Sequence, residues 1–383
     1  MLLTKSNYLI GLQCPKYLWM VFHEPEEIPE ASLSDKFKFK QGEEVGELAK
    51  TLFPKGIDLP VHYVENLKKT IEALKEKKPL FEAGFEVNNC FSRVDILVPN
   101  KDKWDIIEVK SSTKIKDINI HDVSFQKYCL EKSGLKIGKC FLMHVNNEYV
   151  RKGKIEPKKL LIKEDITKDV NEIKNVEDKI EDMFDIITSP TCPEHPIGKH
   201  CKDPYDCPIC SCWDKLPENH VFCLYKGGRL SYELYENGIE SIKDIPSDIK
   251  LNDKQGIQRD CEINNKVHVN KDEIKKFLDK LKYPLYFLDF ETFSTAIPMF
   301  DGLKPYSQIP FQFSLHVVEK EGSEPEHYEF LYSGSGDPRK EFLIELKKVL
   351  GSDGSIVVYN QGFEVSRLKE LGECFLEYKD WVA

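Results

Sequence analysis

The sequence contains no apolar run near the roughly 20 residues that a bilayer-spanning helix needs. Its N-terminus offers only Met1, Leu2 and Leu3 before the polar residues Thr4 and Lys5, so the apolar core of a secretory signal is missing as well. It also lacks internal repeats, low-complexity tracts and long Gly/Ser linkers, which excludes repeat, fibrous and disordered classes. We therefore expect a globular protein that stays in the cytoplasm.

Composition and charge are those of an ordinary globular chain. Of 383 residues, 40% are hydrophobic and 31% are charged, and the length leaves room for two or three domains because single cores stop growing well below it. The formal net charge of -10 disfavours a protein that coats nucleic acid without specificity, although a local basic groove remains compatible with it. The twelve cysteines are more informative, because clustered cysteines in the cytosol usually bind metal or do redox chemistry.

Hydrophobic spacing predicts an α/β fold in the N-terminal half. The predicted elements are helices at 33–52 and 64–77, strands at 80–87, 91–98 and 104–109, a helix at 120–132 and a strand at 136–145. Short strands at 149–155 and 159–162 and a charged helix at 167–187 should follow. We divide the chain into a first domain at 1–215, a mostly helical connecting region at 216–282 and a further domain at 283–383, where a new strand pattern begins.

The central chemical signal is Asp95 on one predicted strand, followed on the next by Glu108, Val109 and Lys110. Because side chains alternate along a strand, Glu108 and Lys110 face the same side. Carboxylates of Asp95 and Glu108, with the carbonyl of Val109, are the hard oxygen ligands that Mg²⁺ or Mn²⁺ prefers. Such a site activates water, and Lys110 would orient the nucleophile or stabilise the transition state of phosphodiester hydrolysis. The alternative is that Glu108 and Lys110 form a surface pair on an exposed edge.

This order of residues resembles the RecB-like branch of the PD-(D/E)XK nucleases, which includes the CRISPR-associated RecB-type exonucleases. The resemblance rests on Asp95, the triplet Glu108-Val109-Lys110 and a following helix with Gln126 and Tyr128. It implies a restriction-endonuclease-like core that cleaves DNA. In the family the helix carries a Gln and a Tyr usually four residues apart, whereas these two are two apart, so the resemblance assigns the family role to at most one of them.

The family also has an early helix in which a Gly is followed by a His that reaches the metal. This chain has Gly42, but Gly46 stands where the His would fall. Glu43 and Glu47 lie one turn apart on the predicted helix, and we choose Glu47 as the candidate carboxylate for the metal. The alternative is that both belong to a solvated helix face.

Four cysteines, Cys201, Cys207, Cys210 and Cys212, lie within twelve residues. Four thiolates can hold zinc or an iron–sulfur cluster, and the spacing alone does not choose between them. The resemblance implies a [4Fe–4S] cluster held by one cysteine before the nuclease core and three after it, namely Cys14, Cys201, Cys207 and Cys212, with Cys210 as the substitute. Zn²⁺ bound by the four local cysteines remains the alternative.

A second carboxylate pair, Asp289 and Glu291, stands on one face of an otherwise apolar predicted strand. It resembles the first motif of DEDD exonucleases in the RNase H-like fold, where such a pair binds two magnesium ions. Glu364 takes the place of the Asp in the next family motif, and the chain ends at Ala383 without the later one, so we expect a partial domain. The combination looks like an uncharacterised bacterial and archaeal family that joins a RecB-like nuclease to an RNase H-like domain. A merely structural pair is the alternative.

These features together predict a DNA exonuclease or end-processing nuclease that acts on single-stranded DNA or DNA ends. Lysines near the predicted site would form a phosphate-tracking rim: Lys101, Lys103, Lys114, Lys116 and Lys127. The competing hypothesis is a non-catalytic nucleic-acid-binding or scaffold protein that keeps the fold and the metal cluster.

Overall fold

The computed structural model describes residues 1–383 and is a mixed α/β structure. Up to residue 188 its elements are β1 (Leu3–Thr4), α1 (Lys5–Gln13), α2 (Pro15–His23), α3 (Leu33–Lys50), β2 (Ile57–Asp58), α4 (Tyr63–Ala73), β3 (Leu80–Val87), β4 (Cys90–Asn100), β5 (Lys103–Lys110), α5 (Asp117–Lys132), β6 (Ile137–Val145), α6 (Pro157–Leu160), β7 (Leu161–Asp165), α7 (Thr167–Glu172) and α8 (Val176–Thr188). After short 3₁₀ turns around the cysteines come α9 (Arg229–Glu236), α10 (Asp253–Asn264), α11 (Lys271–Leu278), β8 (Leu285–Phe293), β9 (Ile309–Val318), β10 (Glu326–Leu331), α12 (Arg339–Val349), β11 (Ser355–Val357), α13 (Gln361–Cys374) and α14 (Lys379–Val382).

Two compact units make up the chain. The first unit comprises Met1–Lys110, Lys114–His144 and Lys163–Val269, and the second unit comprises Ser111–Thr113, Val145–Ile162 and Asn270–Ala383. The segment 145–162 therefore groups with the C-terminal part of the chain, and α9 and α10 group with the first unit. These boundaries differ from the division at 215 and 282, which stays a prediction.

The first unit is built around a sheet with strand order β2-β3-β4-β5-β6-β7, and β1 pairs with β4. Strands β3, β4 and β5 form an antiparallel meander, and β6 returns parallel to β5 after the crossover helix α5. Helix α5 packs on β3, β4 and β5. It ends before Gly134, whose φ of +91° is left-handed backbone that glycine adopts without a Cβ penalty. The predicted meander, helix and fourth strand are therefore present, with bounds shifted by a few residues.

Two predicted features of the middle segment are wrong. No strand spans 149–155; α6 and β7 lie where the strand at 159–162 was expected. The backbone of this segment bonds to a loop instead of a sheet, since the Arg151 amide donates to the Leu303 carbonyl (3.0 Å) and the Gly153 amide donates to Asp301 (2.7 Å). The predicted helix 167–187 is two helices, α7 and α8, because the backbone becomes extended at Ile173.

The second unit contains a four-stranded sheet with order β10-β9-β8-β11. Strands β8, β9 and β10 are antiparallel, and β11 lies parallel to β8. Alternation along β8 buries Leu288 and Phe290 against Phe313, Phe342 and other apolar residues of one core. Asp289 and Glu291 therefore point to the opposite, exposed face. Nowhere in the chain is a helix both long and apolar enough to cross a membrane.

Candidate active site and metal centres

Strands β4 and β5 bring Asp95 and Glu108 to the same part of the sheet. Ile96 pairs with Ile107 across the two antiparallel strands, so the neighbouring residues are Asp95 on β4 and Glu108 on β5. The Val109 amide donates to Asp95 Oδ2 (2.7 Å), which fixes the orientation of that carboxylate. The Glu108 side chain is only 1% exposed, whereas that of Asp95 is 25% exposed. The Glu108 carboxylate is thus fully buried, and the Asp95 carboxylate is mostly buried with one part reaching solvent.

Helix α5 completes the group with two buried polar residues, Asp122 and Gln126, that lie one turn apart on one face. Lys110 Nζ donates to Glu108 Oε1 (2.6 Å) and Asp122 Oδ2 (2.7 Å). Gln126 Nε2 donates to Glu108 Oε2 (2.6 Å) and Asp122 Oδ1 (2.8 Å). The two donors therefore clamp the two buried carboxylates from opposite sides. Gln126 Oε1 is buried without a hydrogen-bond partner, so one acceptor remains free inside the group.

A second lysine, Lys5 at the start of α1, also reaches these carboxylates. Its Nζ lies 2.9 Å from Glu108 Oε1, 3.7 Å from Asp122 Oδ1 and 3.9 Å from Asp95 Oδ1. Lys5 precedes Glu108 by 103 residues, so no local spacing in the sequence connects them. We call Lys5, Asp95, Glu108, Lys110, Asp122 and Gln126 the carboxylate–lysine cluster.

The charges of the carboxylate–lysine cluster shift one another's protonation. Burial, helped by the nearby Glu108, raises the pKa of Asp95 to about 7. Burial acts the same way on Glu108, but Lys110 and Lys5 outweigh it and hold the pKa of Glu108 well below its usual range. Burial alone would lower the pKa values of Lys5 and Lys110, yet the surrounding carboxylates raise both. Glu108 is therefore an anion held between two cations.

This donor set fits a hard divalent cation. Asp95 and Glu108 supply carboxylate oxygens, and Val109, between Glu108 and Lys110 on β5, supplies a carbonyl. Asp122 adds a further buried carboxylate that the sequence analysis missed. Its position four residues before Gln126, on the same helix face, was the signal that could have identified it.

Two residues chosen from the sequence lie away from the carboxylate–lysine cluster. Glu47 is on α3 with its side chain 72% exposed, where it pairs with Lys50 (2.7 Å) and not with Asp95 or Glu108. Tyr128 follows Gln126 by two residues on α5, and its hydroxyl lies 3.5 Å from Glu177 Oε1. Of the two α5 residues in the family resemblance, Gln126 is the one that touches the carboxylates.

The cysteines singled out in the sequence converge in the first unit. Cys14 caps the N-terminus of α2, where its Sγ accepts from the Tyr17 amide (3.4 Å). The neighbouring Gln13 Nε2 donates to the carbonyls of His200 (2.7 Å) and Tyr205 (2.6 Å), so the end of α1 is tied to the cysteine-rich loop. Cys14 and Cys201 are both 5% exposed. The structure thus joins an N-terminal cysteine to residues nearly two hundred positions later.

The raised pKa values of two buried cysteines, Cys14 and Cys207, have contributions from other cysteines of the group. Burial raises the pKa of Cys14 to about 11, and nearby Cys207 and Cys201 add to the rise. Burial likewise raises the pKa of Cys207, with further contributions from Cys201, Cys212 and Cys210. Lys16 Nζ donates to Cys212 Sγ (3.2 Å). Thiolates that disfavour one another in a buried place are stabilised by a bound cation.

Cys210 and two histidines define the alternatives at this centre. Cys210 is exposed and its Sγ contacts the Pro208 carbonyl (3.5 Å). The donor atoms of Cys14, His195 and His200 lie within 4.8 Å of one another, and His200 Nε2 is 3.5 Å from Cys201 Sγ. A mixed nitrogen and sulfur set of this kind suits zinc, whereas four thiolates suit zinc or iron–sulfur.

The second carboxylate pair sits on the open face of the second unit's sheet. Asp289 lines a shallow cavity of about 430 Å³ together with Ser314, His316 and others. Glu364, in the first turn of α13, is buried, and its Oε2 has no hydrogen-bond partner. Glu364 does not line this cavity, so the structure does not bring the three predicted residues together there.

Sequence comparisons give two matches. Residues 286–383 match the family described as "Domain of unknown function (DUF2779)". An uncharacterized protein of Mycoplasma genitalium is 33% identical over 119 residues, which are 29% of this chain and 18% of that protein. This chain therefore spans less than a fifth of that relative, and neither description names an activity.

Proposed function

We propose that the first unit is a metal-dependent DNA nuclease with a restriction-endonuclease-like core, acting as an exonuclease or on DNA ends. The observation that carries this proposal is the carboxylate–lysine cluster, in which β4, β5 and α5 supply Asp95, Glu108, Lys110 and Gln126 to one place. The strand connections support it, because an antiparallel meander followed by a crossover helix and a parallel strand is the order expected of that core.

Asp95 and Glu108, with the Val109 carbonyl, would hold Mg²⁺ or Mn²⁺. When bound, the metal supplies Lewis acidity to the scissile phosphate and lowers the pKa of a coordinated water. Lys110 is the charged donor beside it, and its Nζ donates to one oxygen of the buried Glu108 (2.6 Å) and to one oxygen of the buried Asp122 (2.7 Å). A lysine fixed in this way can orient the attacking water or stabilise negative charge on the phosphate without reorganising during the reaction. Gln126 keeps both of these carboxylates in place.

We further propose that Cys14, Cys201, Cys207 and Cys212 hold a [4Fe–4S] cluster with a structural role. Cys201, Cys207 and Cys212 each contribute to raising the pKa of another thiol of this set, which supports grouping them, and the exposed position of Cys210 favours Cys212 as the last ligand. An iron–sulfur cluster at this place would link helices α1 and α2 to the loop after α8. Zinc remains the second candidate, because His195 and His200 stand close to Cys14.

In the second unit, the sheet order β10-β9-β8-β11 and the pair Asp289 and Glu291 support an RNase H-like, DEDD-type domain. The carboxylate pair would bind magnesium on the open sheet face. Glu364 does not line the cavity that contains Asp289, so we assign no catalytic role in this unit beyond Asp289 and Glu291.

Cleavage of end-labelled DNA tests the nuclease proposal. Protein purified without oxygen is incubated with single- and double-stranded DNA and either Mg²⁺ or Mn²⁺. Lys110→Ala and Asp95→Asn should lose cleavage, while Lys136→Ala, which removes an exposed lysine paired with Asp102, should retain it. Equal degradation by wild type and Lys110→Ala would mean that the assigned site is wrong. Binding without cleavage by the wild type would favour the scaffold function.

Metal analysis of the same preparation tests the cysteine centre. An iron–sulfur protein is brown and contains iron and acid-labile sulfide, and Cys207→Ser should lose both. Cys261→Ser, which changes a thiol outside the cysteine-rich loop, is the matched control. A colourless protein with stoichiometric zinc would replace the iron–sulfur assignment by the zinc one.

A further inference from the structure

Lys5 occupies an unusual place for a residue of an N-terminal helix, because its ammonium group lies among three carboxylates. Lys110 pairs with Glu108 and Asp122, but its Nζ makes no ion pair with Asp95 within 4 Å. Lys5 does, at 3.9 Å, while its bond to Glu108 is 2.9 Å. Lys5 is therefore the cation that stands between Asp95 and Glu108, the two carboxylates proposed as metal ligands.

The Lys5 ammonium group, which lies between Asp95 and Glu108, occupies the space that a divalent metal bound to both carboxylates would need. Mg²⁺ binds carboxylate oxygens at about 2.0–2.1 Å and demands near-octahedral geometry. Lys5 already bonds the same Glu108 oxygen, Oε1, that Lys110 also contacts. Charges of the same sign about 4 Å apart repel strongly in a partly buried place. A metal entering between Asp95 and Glu108 must therefore expel the Lys5 ammonium group.

The Lys5 side chain is suited to leave. It is 21% exposed, and a flexible four-carbon stem lets its charge move to solvent without moving α1. Without Lys5, Lys110 alone would face three carboxylates and Asp95 would have no ion-pair partner, which is costly in a partly buried place. In the metal-free protein, Lys5 therefore neutralises part of the negative charge of these carboxylates.

We propose that Lys5 is the resident counter-ion of the metal site and competes with the divalent cation for Asp95 and Glu108. The inference deepens the proposed nuclease function and rests on it in taking these two residues as the metal ligands. Metal affinity is then set by how readily the Lys5 ammonium group is displaced, as well as by the ligands themselves.

Calorimetric titration of Mn²⁺ into DNA-free protein tests the competition. We expect Lys5→Met to bind Mn²⁺ on the order of tenfold more tightly than the wild type, since one opposing charge at close range is removed. Lys5→Arg keeps the charge and should stay near the wild-type affinity. Lys136→Met removes an exposed positive charge from the same unit and controls for net charge. Adding Glu108→Gln to Lys5→Met should abolish the binding event assigned to the carboxylate–lysine cluster and leave only the binding that the Asp289 and Glu291 pair contributes.

Equal affinities in Lys5→Met and Lys136→Met would overturn this inference alone. Absence of Mn²⁺ binding in every variant would overturn the metal site, and with it the proposed function. A measurement on the wild type avoids any dependence on variant folding: reductive methylation read by mass spectrometry should label Lys5 more strongly when Mn²⁺ is present. Labelling that is unchanged by the metal would also contradict displacement.

Discussion

Asp122 offers the sharpest test of how the carboxylate–lysine cluster is held together. Asp122→Asn keeps the shape of the side chain but replaces a charged acceptor by an amide. In the wild type this fully buried carboxylate accepts from Lys110 Nζ (2.7 Å) and Gln126 Nε2 (2.8 Å). Whichever way the new amide turns, its NH₂ group faces one of these donors. A buried donor then stands opposite another donor, and an ammonium group loses one of its two bonded carboxylates.

The expected cost follows from these contacts. Breaking a buried ion pair by removing one partner costs about 3–5 kcal/mol, and hydrogen bonds to charged groups contribute about 1.5–3 kcal/mol. Lys110 keeps its bond to Glu108 at 2.6 Å, so the full cost of an abandoned charge is not reached. We expect a loss of about 2–3 kcal/mol, which lowers the melting temperature by about 4–12 °C in a unit of this size.

Thermal unfolding followed by tryptophan fluorescence measures this change, because the buried Trp104 lies on β5 with Glu108 and Lys110. Glu131→Gln is the matched control, since Glu131 is a partly exposed acid on the same helix and should change stability by no more than about 0.5 kcal/mol. An Asp122→Asn protein that melts with the control would refute the clamp inferred from the structure.

Four further substitutions separate effects on packing from effects on cleavage. Gly84→Ala should destabilise the first unit by about 2 kcal/mol or more in thermal unfolding, because the new Cβ would lie 2.1 Å from the amide oxygen of the buried Asn66. Gly42→Ala should instead stabilise by about 0.5–1 kcal/mol, since nothing lies within 4 Å of its Cβ position on α3, and a melting temperature below wild type would contradict this. Gln126→Ala should lower the single-turnover cleavage rate at least about tenfold, because Gln126 bonds to Glu108. Tyr128→Phe should leave the rate unchanged. Equal effects of the two substitutions would mean that contact with the carboxylates does not decide which α5 residue acts in cleavage.

The sequence predicted the parts of the fold that local patterns determine. Alternation of apolar residues identified β3, β4 and β5, and helical spacing followed by Gly134 identified α5. The strand expected at 149–155 failed for a tertiary reason, because Arg151 and Gly153 bond to a loop about 150 residues later. Local pattern carries no information about such a partner.

The residues of the candidate site likewise divide into those that a local sequence pattern identifies and those that only the fold brings together. Asp95, Glu108 and Lys110 were identifiable because strand alternation and a short hairpin keep them close in sequence and in space. Lys5 was not, since only the folded sheet brings its helix to Glu108. Glu47 as a metal ligand stays a prediction, because helical spacing does not decide whether an acid faces a site or solvent, and this one is exposed and pairs with Lys50.

A contribution to stability alone does not explain the carboxylate–lysine cluster. Taking charged groups out of water costs several kcal/mol per ion, and replacing a buried ion pair by packed apolar residues is often neutral or stabilising by about 1–4 kcal/mol. This group places Glu108 at 1% exposure between two ammonium groups and leaves a buried amide oxygen on Gln126 unpaired. A structural ion pair needs neither a third carboxylate nor an unused acceptor, whereas the proposed metal site would use the third carboxylate to hold Lys110 and would leave the Gln126 oxygen for a polar substrate.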